Sequence, residues 1–325
     1  MLSRYFSVYL QQKQYMERFI MQDLIAWKNR KDRKPLILLG ARQVGKTYIL
    51  KEFGQREFEN VAYINCDNNA MAKDLFASDY NIDRILLTIG AITGVYIEAG
   101  KTIIIMDEIQ ELHRGLASLK YFCENAREYH VAVAGSLLGL ALHQGESYPV
   151  GKVNTLEMYP MTFEEFLWAR GFKQRMDLLQ HGMWDVVKSL RTLYIQHLRE
   201  YYLVGGMPEA VNKFIETNDA NAVREVQEEI IRVYEKDISK HAPKEQVVRI
   251  NQVWNSIPSQ LAKENKKFIY GVVKQGARAK DYELAIQWLI DAGLVYKISR
   301  VKTLGLPLKI HEDISAFKLY LLDCG

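Results

Sequence analysis

Directly behind the apolar run Leu36-Ile37-Leu38-Leu39 the chain reads GARQVGKT, Gly40 to Thr47, and a helix-like stretch follows. This is the GxxxxGK[ST] pattern in the strand, loop and helix context that it requires, so it commits the region to an α/β arrangement around a phosphate cradle. Each residue type has a task. Gly40 and Gly45 allow the tight turn, with Ala41 between the strand and the cradle. The amides of Arg42, Gln43, Val44, Gly45, Lys46 and Thr47 then converge on a β-phosphate at the helix N-terminus. Lys46 can reach the β and γ phosphates, and the Thr47 hydroxyl can ligate Mg²⁺. The pattern implies binding of a nucleoside triphosphate.

A second apolar run, Thr102 to Met106, ends in Asp107-Glu108. Short continuous apolar runs form strands buried on both faces, and ligands of open α/β sheets bind beyond the carboxyl ends of such strands. If this strand neighbours the P-loop strand, Asp107 holds Mg²⁺ and Glu108 polarises the attacking water. A third run, Val131 to Ala134, ends in Gly135-Ser136, which would lie beside the other two strand ends. Ser136 has two readings: a hydrogen-bonding partner of the γ-phosphate or the water, or the N-cap of a helix starting near Leu137.

Beyond the P-loop, the segments IIIMDEIQ, VAVAGSLLG, LEMYPMTFEEFL, YYLVGGMPEAV and VYEKDISK resemble those of a bacterial and archaeal family of AAA-type ATPases that carry a C-terminal region of unknown function. The resemblance runs from about Met16 to the last residue. It implies an ATPase core, a helical lid, a winged helix and a further nuclease-like domain, and it gives Ser136 the role known as sensor 1. It also implies that the Gly-Arg pair usual before the strand leading to MYPMTF is replaced here by Gly151-Lys152, so that a finger role would fall to Lys152. The chain ends at KLYLLDCG, where the resemblance places the start of the nuclease-like domain, which is therefore expected to be missing.

At 325 residues two or three domains are expected. No apolar run approaches the ~20 residues that span a bilayer, and the Gln-rich start does not suit a signal peptide, which makes the cytoplasm the default and excludes a membrane partner. Cys66, Cys123 and Cys324 are odd in number and lack metal-ligand spacing, so they are read as free thiols, the first two buried. Met16 heads an amphipathic helix over Tyr15 to Trp27 and is a plausible native start, with residues 1–15 expected to be weakly ordered.

VAYINC, Val61 to Cys66, reads as another strand, and strands alternate with helices up to about Val153. Thr162 and Glu165 form a capping box that opens a helix rather than a catalytic dyad. From there to His241 the pattern is helical. Within it, Leu203 to Ala210 (LVGGMPEA) resembles a glycine-x-proline motif that presses a lid against adenine, making Gly206 and Pro208 nucleotide contacts; an ordinary loop-to-helix junction is the alternative.

Charge is divided unevenly. Residues 240–325 hold 14 Lys and Arg against 8 Asp and Glu, and residues 1–239 hold 29 against 31. In the basic part, a helix over Asp281 to Ala292 stops at Gly293, and Leu294 to Val301 with Pro307 to Ile310 reads as a hairpin wing turning at Gly305. Lys274, Arg278 and Lys280 on its leading face can neutralise DNA phosphates, although winged helices also dock proteins. Lys318 to Leu322 (KLYLL) reads as a strand, expected to pair with the wing as an edge strand or with a second molecule.

The expected fold is therefore α/β: a P-loop NTPase of AAA type with a doubly wound parallel sheet, then a helical lid and a winged helix. The expected divisions are 1–35, 36–160, 161–241, 242–317 and a stub at 318–325. The function expected is Mg²⁺-dependent ATP hydrolysis, slow without a partner. ATP is favoured over GTP because no NKxD-type motif follows the core. A nucleotide-switched DNA-binding regulator with negligible turnover is the alternative, and homo-oligomerisation stays open.

Overall fold

The computed structural model describes residues 16–67, 69–76, 79–136, 138–141 and 149–325. The expectations for the leading segment 1–15 and for a helix start at Leu137 lie outside the described residues. Five strands, β1 (Leu36–Leu39), β2 (Asn60–Asn65), β3 (Thr102–Asp107), β4 (His130–Ala134) and β5 (Asn154–Glu157), form one sheet in the order β2-β3-β4-β1-β5. Every pairing in it is parallel.

The sequence already separates centre from edge. β3 and β4 are apolar runs and are buried at every position, whereas β5 at one edge alternates between half-buried and exposed residues. Alternate side chains of the central strands go to opposite faces, as the two-residue period of a strand requires. Leu36, Leu38, Ile103 and Ile105 pack with Trp27, Leu50 and Phe53 of the helices Ile20–Lys28 and Lys46–Glu57. Ile37, Ile104 and Met106 pack with Ile85, Leu119 and Phe122 of the helices Ile82–Thr93 and Gly115–Asn125. The sheet is thus covered on both faces, the α/β doubly wound architecture.

One condition set at the level of sequence fails. β3 is not the neighbour of β1, because β4 lies between them. The acidic strand end therefore meets the P-loop across one intervening strand, and Gly135-Ser136 at the end of β4 occupies the middle position.

Helices Phe163–Ala169, Lys173–Gln180, Trp184–Ser189, Arg191–Val204, Pro208–Thr217 and Ala220–His241 follow the sheet. The first opens with the expected capping box of Thr162 and Glu165. The chain then continues through Val247–Leu261 and Ala279–Asp291 into two antiparallel strands, β6 (Val295–Val301) and β7 (Glu312–Leu321). Here the hairpin differs from expectation. Residues 308–311 form a short 3₁₀ turn, and the strand that pairs with β6 is β7, whose KLYLL half faces Val295–Ile298. Phe317 and Leu319 of β7 are buried, and the Phe317 ring stacks on Phe268 at 5.3 Å. A strand needs a partner for its backbone, and β6 supplies it, so residues 318–321 form part of this hairpin. Among the described residues no helix is long and apolar enough to cross a membrane.

Candidate nucleotide site

The loop after β1 takes backbone conformations that few sequences permit. Gly40 has φ 145° and Gly45 φ 99°, regions that L side chains rarely enter. A Cβ on Gly40 would also overlap the carbonyl oxygen of Met158. Gln43, at φ 65°, holds a left-handed conformation despite its side chain. The helix Lys46–Glu57 starts directly behind this turn, so its N-terminal amides open toward the strand ends.

Lys46 is 7% exposed, and its Nζ donates to the carbonyls of Gly40 at 2.8 Å and Ala41 at 2.7 Å. Burial lowers its pKa to about 8, against the opposing pull of Glu108 and Asp107. The Thr47 hydroxyl donates to Asp107 Oδ2 at 2.5 Å, and the Tyr63 hydroxyl of β2 reaches the same oxygen at 3.3 Å. Thr47 and Asp107 thus present a hydroxyl and a carboxylate side by side. That donor set suits Mg²⁺, a hard cation that keeps waters and phosphate oxygens and needs only one or two protein ligands. Among the described residues no group of three or more His, Cys, Asp or Glu could hold a metal by itself.

Glu108 follows in a left-handed conformation, φ 52°, which turns its side chain toward β4. Its Oε2 accepts from the Ser136 amide at 3.1 Å, the Ser136 hydroxyl at 3.2 Å and Gln110 Nε2 at 2.6 Å. Ser136 accordingly orients the carboxylate. A Cβ on Gly135 beside it would meet Leu138 and the end of the Gln110 side chain, which would have to shift.

These groups open into a cleft of about 820 Å³. Arg42, Gln43, Gly45, Lys46, Thr47, Asp107, Glu108, Ser136 and Pro208 all line it. Gly40 and Ala41 face an adjoining cavity against residues 290–297, and Val44 is fully buried. Gly206 does not line the cleft. Its amide donates to both carboxylate oxygens of Asp323, and a Cβ would overlap the Met161 backbone, so it is small because two chain segments cross there. Lys152 is also elsewhere: it pairs with Glu124 at 2.8 Å and precedes β5, at the end of the sheet opposite the phosphate loop.

Other cleft residues escaped sequence reasoning. Arg18, 5% exposed, donates to the carbonyls of Val44 at 3.1 Å and Tyr159 at 2.6 Å and faces Glu165 at 3.1 Å. Met158, Glu209 and Asn212 also line the cleft. Asn212 stands one turn beyond both Pro208 and Glu209, a spacing that signals a shared helix face; Arg18 carries no local signal. Cys66 and Cys123 are buried and Cys324 exposed, all three free, as expected.

Residues 32–167 match the family described as AAA domain, and residues 195–325 match a domain of unknown function, DUF8612. No curated protein matches the chain. Among solved structures, it is similar to a Walker-type ATPase of Pyrococcus abyssi at 15% identity and a TM-score of 0.60, covering 97% of this chain and 95% of that one. The Orc1 protein of Aeropyrum pernix, solved in complex with DNA, aligns at 15% identity over 99% of this chain and 92% of that one, with a TM-score of 0.33. The fold is that of the P-loop ATPases.

Proposed function

We propose that this chain binds ATP with Mg²⁺ and hydrolyses it. The observation that carries the reading is the pairing of Thr47 Oγ1 with Asp107 Oδ2 at 2.5 Å, in one cleft with Lys46 and Glu108. Lys46 and the loop amides bind the β and γ phosphates, and Thr47 and Asp107 are the residues that would hold Mg²⁺, which would supply charge neutralisation to the phosphate. Glu108 accepts a proton from the attacking water, and Ser136 keeps that carboxylate turned toward it. Pro208 and its helix close the other wall against the nucleoside. The absence of an NKxD-type motif favours adenine.

Isothermal titration and phosphate release test this directly. Lys46→Ala is expected to lose ATP binding, because the ammonium meets phosphate in both ground and transition states. Glu108→Gln is expected to keep binding and lose turnover by about 10²-fold or more, because it acts only on water. Equal turnover in parent and Glu108→Gln would remove Glu108 from the mechanism.

A second reading concerns residues 242–317 as a winged helix that meets DNA. Lys274, Arg278 and Lys280 are all exposed at the entry to the helix Ala279–Asp291, which supports phosphate contact. Replacing the three by Gln is expected to weaken duplex binding and to flatten its salt dependence. A parent chain that fails to bind DNA at low salt rules it out.

A further inference from the structure

The VYEKD segment, Val233 to Asp237, reaches the phosphate loop from far along the chain. Tyr234, 192 residues beyond Arg42, donates its hydroxyl to the Arg42 carbonyl oxygen at 2.8 Å. One turn on, Asp237 Oδ1 takes Arg42 Nη1 at 2.5 Å. Both side chains sit on one face of the helix Ala220–His241, and both residues are 6% exposed. They grip the same loop residue twice, by its backbone and by its side chain.

The backbone grip has a geometric consequence. In a trans peptide the C=O of one residue and the N–H of the next point in opposite directions. Arg42–Gln43 is not among the cis bonds, so a hydroxyl that holds the Arg42 oxygen away from the cleft turns the Gln43 N–H into it. Gln43 lines the cleft and sits at φ 65°, a conformation that costs energy unless its surroundings hold it. Behind Tyr234, the Trp254 ring packs edge-on at 6.3 Å and 83° and keeps the phenol in place.

We propose that Tyr234, supported by Asp237, is a positioning residue that orients the Arg42–Gln43 peptide so that its N–H faces the triphosphate. The proposal rests on the nucleotide reading above. Its ligand is the polyphosphate chain, not the base.

The test uses the full chain, with calorimetric titration of ATP and of inorganic tripolyphosphate. Tyr234→Phe removes only the hydroxyl and is expected to weaken both ligands about five- to tenfold, with KM raised and kcat retained. Trp254→Leu, remote from the loop, leaves the hydroxyl but frees the ring; a smaller loss in the same direction is expected, and it serves if Tyr234→Phe folds poorly. Affinities for both ligands within twofold of the parent in Tyr234→Phe overturn the proposal, as does no loss at all in Trp254→Leu where Tyr234→Phe fails to fold. So does a loss confined to ATP, which would place the effect on the nucleoside. A parent that binds both ligands through Lys46 while Tyr234→Phe changes nothing overturns this inference alone; a parent that binds neither overturns the nucleotide reading with it.

Discussion

His130, at the start of β4, is 6% exposed and stacked edge-on against Phe58 at 4.8 Å. Burial, with Arg33 and Lys28 nearby, lowers its pKa to about 4. Between that value and the ordinary value of about 6.5 the unfolded chain binds a proton that the folded chain refuses. The stability this neutral ring contributes is present above about pH 6.5 and is lost as pH falls through the window. Melting curves from pH 7 to pH 4 are expected to decline less steeply for His130→Leu than for the parent; parallel declines would show that folding does not lower the pKa of this ring. A different residue-scale constraint acts at Gly40. There Gly40→Ala must place a methyl group against the Met158 carbonyl at φ 145°, and a loss of about 1–3 kcal/mol with loss of ATP binding is expected by denaturant unfolding and titration.

Among elements, the hairpin of β6 and β7 shows how a strand's role depends on its partner. Leu319 of β7 is 2% exposed, and the β7 carbonyl of Phe317 accepts from the Phe268 amide at 2.9 Å. Leu319→Ala is expected to cost about 2–5 kcal/mol by the size of the cavity it leaves, measured by urea unfolding; a cost below about 1 kcal/mol would show the hairpin to be dispensable to the core. The central strands behave differently. Their continuous apolar runs announced burial on both faces, whereas the KLYLL segment offered a strand without saying which strand it would join. The final turn ties in as well, since Asp323 accepts the Gly206 amide at 2.8 Å and 3.0 Å.

For the whole molecule, the residues after the helix Ala220–His241 pack back onto the sheet. Gly139, just beyond β4, lies so close to the Asp291 backbone that a Cβ would overlap its carbonyl oxygen. Gly293 approaches the Ala41 amide from the same side, and residues of both regions share one apolar cluster with the helices between them. Gly139→Val is expected to wedge this junction apart, giving a second thermal transition and faster tryptic cleavage after Lys274 or Arg278, with the sheet core still folded. A single transition and an unchanged cleavage rate would show that the junction tolerates the added volume.

The sequence by itself determined the phosphate loop, the two carboxylates at the end of β3, the buried central strands and the Thr162 capping box, because each rests on backbone conformations and periodicities within a few residues. Only the tertiary structure decided the strand order that puts β4 between β1 and β3, the part of Ser136 in holding Glu108, and the displacement of Gly206 from the cleft. It also brought Arg18, Tyr234 and Asp237 to the loop. Those contacts span 26 to 195 residues, and a hydrogen bond between remote segments imposes no spacing or period on either one.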